Sequence, residues 1–262
     1  MRRVGAPGFC RPESRWGRSR GMMYDRMNRG HYTQTLNAMT PAAWWEAEDV
    51  MPGAVSSWPA RVGTALVQAV VGLQPTAAKA PTGVPGVKFI SHYVSLATGL
   101  FDTKTAFTIA STASDDNVAA QGAIIIQHNG AWWTTATGVL QQVDTIGRTG
   151  SGARGDATNW KAGSALAPSS IIQSRIDTHD LLLAGPDEVE MYYNGVYDPY
   201  SVRAVPNNTI AVGAGVTDVG GNSGATVAYL VGWIITLVAF YRVLTILEIK
   251  LLDNLIAWQA NI

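Results

Sequence analysis

The chain has 262 residues, of which 47% are apolar and 15% charged, with equal numbers of basic and acidic side chains and one cysteine. Such a composition supplies a sizeable core and carries too little charge for a disordered chain, and a single cysteine excludes an intrachain disulfide framework. Zero formal net charge sets the molecule as a whole apart from strongly basic nucleic-acid binders.

In chain order, the first feature is basic. Residues 1–30 hold eight arginines (Arg2, Arg3, Arg11, Arg15, Arg18, Arg20, Arg26 and Arg29) against Glu13 and Asp25, a net +6, and the rest of the chain carries −6. Residues 1–40 show no sustained hydrophobic period and read as an extended arm that takes its order from a partner. Arginine suits an assembly arm because its planar fork pairs with carboxylates through two hydrogen bonds. A disordered leader is the second reading of these residues, and phosphate binding the third, since no aromatic residues are interleaved in a known nucleic-acid pattern. No apolar stretch follows Arg2-Arg3, so an export signal is not expected.

The body spans residues 41–262. Turn-rich segments come first: Met51-Pro52-Gly53, Ser57-Trp58-Pro59, Gln74-Pro75-Thr76 and Pro81 to Gly86. Length and β-branched or aromatic content then predict strands at 87–90, 106–111, 122–127, 132–135, 171–176, 189–193, 209–212 and 227–240. The apolar run 227–241 is too short to span a membrane as a helix and reads as a pair of buried strands. Asn194-Gly195 suits a two-residue hairpin, because a type I′ turn needs positive φ at both central residues. Residues 144–168 read as a long Gly-rich loop. One helix follows Thr245, which with Glu248 forms a capping box. Ile246, Ile249, Leu252, Leu255, Ile256 and Gln259 make its stripe, with Lys250, Asp253 and Asn254 off it. Many short strands, one terminal helix and no βαβ rhythm predict an all-β antiparallel two-sheet jelly-roll sandwich.

Four places, in order, carry a resemblance. They are Pro41-Ala42-Ala43-Trp44-Trp45-Glu46-Ala47 with Ser57-Trp58; Gln74-Pro75-Thr76 with Gly86-Val87-Lys88-Phe89; Val189 to Val196 around Tyr193-Asn194-Gly195; and Gly232-Trp233-Ile234 through Tyr241 to Glu248. Together they resemble the concanavalin A-like, laminin-G-like jelly rolls of phage and bacterial surface proteins, over residues 41–260. The resemblance implies a fold and no single activity, because such domains bind sugars, bind proteins, cleave glycans or assemble.

Candidate chemistry is sparse. Glu188 and Glu190 share a strand face, but the third position of a glycosidase E-x-D-x-x-E pattern is Tyr193, so a solvated acidic face is the simpler reading. Gly150 to Gly155 matches G-x-G-x-x-G without a strand-to-helix context. Arg154-Gly155-Asp156 is an integrin-type tripeptide read here as part of a loop. His31, His92, His128 and His179 form no close metal-ligand set, although Asp115-Asp116-Asn117 could offer oxygens to calcium. Gly221-Asn222-Ser223-Gly224-Ala225 lacks the last glycine of a nucleophile elbow.

Aromatic residues are the better lead, since their faces stack on sugar rings. Trp132, Trp133, Tyr197 and Tyr200 are the glycan-binding candidates. The combined expectation is a non-enzymatic virion structural protein, such as a phage capsid decoration or tail component. Residues 1–40 would form its assembly arm, contacting other virion proteins, and residues 41–262 its displayed jelly roll. The protein would be oligomeric in the particle, with no cofactor, metal or membrane. The alternative is a carbohydrate-binding module for host-surface glycans.

Overall fold

A computed structural model describes residues 29–116, 122–128, 138–143, 149–154, 160–164, 177–184, 188–197, 212, 214–221, 223 and 229–262. The chain divides into two compact units, residues 1–39 and 40–262. In the first, a helix α1 is described over residues 29–38. The expected extended arm is therefore corrected at this end. Tyr32, Leu36 and Met39, at steps of four and three, form one helical stripe and are buried. Arg29 opens the described part of α1 and is exposed. Arg2, Arg3, Arg11, Arg15, Arg18, Arg20 and Arg26 lie outside the described residues.

The second unit is the expected all-β sandwich. Its larger sheet runs β16 (Val196–Tyr197), β15 (Glu188–Tyr193), β14 (Asp177–Ala184), β9 (Phe107–Asp115), β18 (Val231–Phe240), β7 (Pro85–Ile90), β6 (Thr76–Lys79) and β2 (Gly53–Ala54). Two further strands belong to it, with β1 (Ala43–Glu46) pairing β18 and β4 (Ala60–Val62) pairing β1. The smaller sheet runs β13 (Trp160–Ser164), β12 (Thr149–Arg154), β11 (Gly138–Val143), β10 (Gly122–His128), β17 (Val216–Val219), β8 (Val94–Leu96), β5 (Leu66–Val67) and β3 (Ser57–Trp58). The pairings between these strands are antiparallel.

Strand β18 organises the larger sheet. The run expected as two strands is one strand of ten residues. One edge pairs β9 throughout, and the other pairs β7 at Val231–Ile234 and then β1 at Thr236–Ala239. The register shifts between Ile234 and Thr236. There the Thr236 N–H donates to the Thr112 hydroxyl at 3.0 Å, which supplies the bulge with a partner. Neither Gly232 nor Thr236 breaks the strand, because both are buried within a paired ladder.

Alternation sends one face of each sheet into a shared core. The larger sheet contributes Trp45, Val87, Phe89, Phe107, Ile109, Ile234 and Leu237, and the smaller contributes Trp58, Leu66, Val94, Leu96, Ile124 and Val219. Phe101 packs on Phe107 with ring centroids 4.7 Å apart. Burying a side chain such as Phe89 or Ile109 contributes about 2–3 kcal/mol.

The C-terminal helix α2 (Ile246–Ala260) packs on the outer face of the larger sheet against β9, β14 and β18. That second cover explains why β18 is buried on both faces. The capping box forms as expected, with Thr245 N–H donating to Glu248 Oε2 at 2.8 Å and Glu248 N–H donating to Thr245 Oγ1 at 3.3 Å. The helical stripe needs a correction. Asp253 is buried with Ile249, Leu252, Ile256 and Gln259, whereas Ile246 is 59% exposed. On the helical wheel Asp253 falls inside the arc of Ile249, Ile256 and Ala260, and its carboxylate lies against Gly195.

One other expectation shifts. The supposed loop 144–168 contains β12 and β13. The predicted strands 132–135 and 171–176, and residues 209–211, lie outside the described residues. Among the described residues no helix is long and apolar enough to cross a membrane.

Candidate functional site

Three short strands of the smaller sheet place a polar cluster on its outer face. In β17, Val219 points into the core, so Asp218 points away from it. Register sets Asp218 opposite Ser95 of β8 and Ile126 of β10. His128, two residues after Ile126, shares that face, as does Tyr93, two residues before Ser95. Residues 90 apart in sequence therefore meet through strand pairing alone.

Asp218 is fully buried and well satisfied. Its Oδ1 accepts from the Ser95 hydroxyl at 2.5 Å. Its Oδ2 accepts from the Ser223 N–H at 2.6 Å and meets His128 Nε2 at 2.8 Å. Burial opposes ionisation, but the hydrogen bonds from His128, Ser95 and Ser223 outweigh it and hold the carboxyl below its ordinary range. An ionised Asp218 makes Nε2 the protonated nitrogen of His128.

Two glycines let the chain pass close by. Gly220 has φ +83°, and a Cβ there would come 2.0 Å from the Phe89 ring. A Cβ on Gly221 would come 2.4 Å from the Tyr229 ring. Tyr229 and Tyr93 are both partly exposed beside the cluster. The Tyr229 hydroxyl is held above its usual pKa, by burial first and then by Tyr93 and Asp218. His92, also partly exposed, has its pKa lowered by burial, and its Nδ1 is buried with no hydrogen-bond partner.

The opposite, inward side of the same strands is braced by polar groups. Gln127 Oε1 accepts from the Phe101 N–H at 2.7 Å, and its amide donates to Asp102 Oδ1 at 2.9 Å. Thr217 Oγ1 accepts from the Leu100 N–H at 2.8 Å. These bonds pin residues 100–102 to β10 and β17, so the outer cluster stands on a fixed base.

The arrangement is not a hydrolytic relay. Ser223 Oγ lies 3.5 Å from His128 Nε2, the same nitrogen that meets Asp218. A Ser-His-Asp relay needs the serine and the carboxylate on different ring nitrogens. Among the described residues no group of three or more His, Cys, Asp or Glu could hold a metal ion. What the cluster can do is accept and donate hydrogen bonds beside two tyrosine rings.

Tyr197 lies elsewhere, on the edge strand β16 of the larger sheet, and is 47% exposed. Its ring meets Tyr192 edge-on at 5.5 Å, and the Tyr192 hydroxyl donates to Glu190 at 3.1 Å. Asn194 and Gly195 both take positive φ, 49° and 72°, as the hairpin required. Trp132, Trp133, Tyr200 and Asn117 lie outside the described residues, and nothing of the Glu188 or Asp115 side chains is described. Residues 150–154 of the G-x-G-x-x-G match lie on β12, paired on both sides, and not on a strand-to-helix turn.

A separate groove of about 470 Å³ lies by β2 and β6, lined by Val50, Met51, Pro52, Ala77 and Pro85 with Glu48 and Lys79. Glu48 is engaged by Arg61, which also binds Asp49 at 2.6 Å. The groove has no converging polar set like that of Asp218. Sequence reading missed Asp218. The available signal was an acid inside the apolar strand Val216-Thr217-Asp218-Val219.

Solved structures share this architecture. The chain aligns with a carbohydrate-binding module, the CBM40 of Ruminococcus gnavus IT-sialidase, at TM-score 0.50 and 13% identity, over 63% of this chain and 96% of that one. It aligns with Trypanosoma rangeli sialidase in complex with sialic acid at TM-score 0.52 and 14% identity, over 82% of this chain and 32% of that one. Domain 4 of AbnA, a Geobacillus stearothermophilus arabinanase, in complex with arabinotriose, aligns at TM-score 0.51 and 16% identity, over 68% and 81%. The likeness is one of fold. No family model and no curated protein sequence matches the chain.

Proposed function

We propose that this chain is a glycan-binding module and that the Asp218 cluster is its sugar site. The observation that carries the reading is a buried, ionised carboxylate on an outer sheet face, held by Ser95, His128 and Ser223 beside the partly exposed Tyr93 and Tyr229. The exposed Ser223 and the partly exposed Tyr93 and Tyr229 can exchange hydrogen bonds with sugar hydroxyls, and the apolar face of a pyranose packs on an aromatic ring. Fold neighbours that are a carbohydrate-binding module and an arabinanase domain in complex with arabinotriose support the same reading. Binding rather than cleavage is the proposed role, because glycosidic cleavage ordinarily uses two carboxylates and the described cluster holds one, Asp218.

A second reading places this lectin-like sandwich on a virion, with the Arg-rich residues 1–30 as its anchor to other particle proteins. Its support is the +6 against −6 charge division of the chain. Glycan binding is compatible with that setting and is better supported by the fold neighbours.

The test is a glycan array on the full chain, followed by calorimetry with Asp218→Asn, Tyr229→Ala and Tyr197→Ala. The expected result is a bound glycan whose affinity falls at least tenfold in the first two variants and stays unchanged in the third. An array with no bound glycan, or full binding by Asp218→Asn and Tyr229→Ala, overturns the proposal.

A further inference from the structure

We infer that the Asp218 cluster selects neutral glycans and turns away those with a carboxylate at the bound residue, an inference that rests on the glycan-binding reading above. The geometry places one full negative charge at the base of the site. Asp218 has no solvent exposure, and its two oxygens are held in place by Ser95, Ser223 and His128. Its field reaches the exposed Ser223 and the partly exposed Tyr93, Ser95 and Tyr229 above it, whose hydroxyls are the groups a sugar can meet. A sialate or uronate carboxylate seated among those hydroxyls brings a second negative charge close to the first. Near a protein surface the effective dielectric is about 20, and two like charges several ångströms apart then weaken binding by roughly tenfold or more.

The groups around the site support this sign. Ser95, Ser223, Tyr93 and Tyr229 offer neutral hydroxyls. The Tyr229 hydroxyl resists ionisation, first through burial and then through the negative charge of Asp218 and the neighbouring Tyr93. Asp218 is near enough to add to that shift, so a ligand anion beside Tyr229 would stand within reach of the same charge. The arabinotriose bound by one fold neighbour is an example of a neutral glycan. The chemistry of this face sides with the neutral class.

The test is an array of neutral oligosaccharides, each beside a counterpart that differs only in a terminal sialic acid or in a uronate for a hexose. It is run at pH 8, above the usual histidine range. The expected result is binding to neutral glycans, with the anionic counterparts at least tenfold weaker. Equal or tighter binding of the anionic counterparts overturns the inference and leaves glycan binding standing. No binding to any glycan overturns both. Asp218→Asn then removes the charge and is expected to cut the neutral preference severalfold. Ser95→Ala keeps the charge, loses one donor, and is expected to weaken binding while retaining the preference. A preference that survives intact in Asp218→Asn overturns the assignment to Asp218.

Discussion

Among the described residues, the carboxylates of Glu46 and Asp218 are both fully buried, and they differ in what surrounds them. Glu46 lies on the outer face of the larger sheet, where its Oε1 accepts from the Trp44 indole at 2.6 Å and its Oε2 from the Thr236 hydroxyl at 2.8 Å. Its own carbonyl accepts from the Trp58 indole at 2.9 Å. These partners are buried, so the group ties β1 to β18 and to β3. Asp218 lies on the outer face of the smaller sheet, and its partners lead outward to the exposed Ser223 and to Tyr93 and Tyr229. Burial of a charge marks constraint. Only a path to solvent turns that constraint into a site.

The comparison breaks most sharply at the chain turn beside Asp218. Gly220→Ala puts a Cβ into the Phe89 ring at a residue with φ +83°, and the expected cost is several kcal/mol, about 3 or more. Urea denaturation measures it. Glu46→Ala leaves the Trp44 and Thr236 donors without their acceptor, with an expected loss of about 3 kcal/mol in the same assay. Glycan affinity per folded molecule is expected to stay the same in Glu46→Ala. Asp218→Asn should show the opposite profile, a stability loss of about 1–2 kcal/mol with glycan binding down at least tenfold.

Smaller effects belong to α2. Thr245→Ala removes the N-cap acceptor and is expected to cost about 1 kcal/mol, read from the urea midpoint. Glu248 is held down to about 2, by Arg242 first and by the Thr245 N–H next. A depressed carboxylate contributes its stability above the unfolded-state pKa, near 4.5, and loses it as pH falls toward about 2. Stability measured from pH 6 down to pH 2 should therefore fall less steeply in Glu248→Gln than in the parent. An equal slope in both removes the pair from the account.

What could be read from the sequence was local. The Thr245–Glu248 capping box and the Asn194-Gly195 turn each depend on a few adjacent residues, and both stand in the structure as expected. The apolar stretch ending at Phe240 was legible as buried strand. Its continuity was not, because α2 shields its outer face and Thr112 supplies the bulge, and both are distant in sequence. Strands β12 and β13 hid because Gly150, Gly152 and Gly163 carry no side chains to show alternation. Strands β2, β3 and β5 have two residues each, too few for any period. The Asp218 cluster was illegible for the same reason, since register between β10, β17 and β8 builds it from Ser95, His128 and Asp218. Tyr197 was legible as an aromatic after a hairpin, and the structure places it on a different sheet from Asp218.

The central claim is that the outer face around Asp218 is where a glycan binds. The most direct measurement is an NMR titration of the full chain with the neutral oligosaccharide that binds most tightly on the array, following the His128 imidazole and the rings of Tyr93, Tyr229 and Tyr197. The account predicts saturable shifts at His128, Tyr93 and Tyr229 with Tyr197 unmoved. Shifts confined to Tyr197, or none at His128, Tyr93 and Tyr229 while the glycan binds, contradict it.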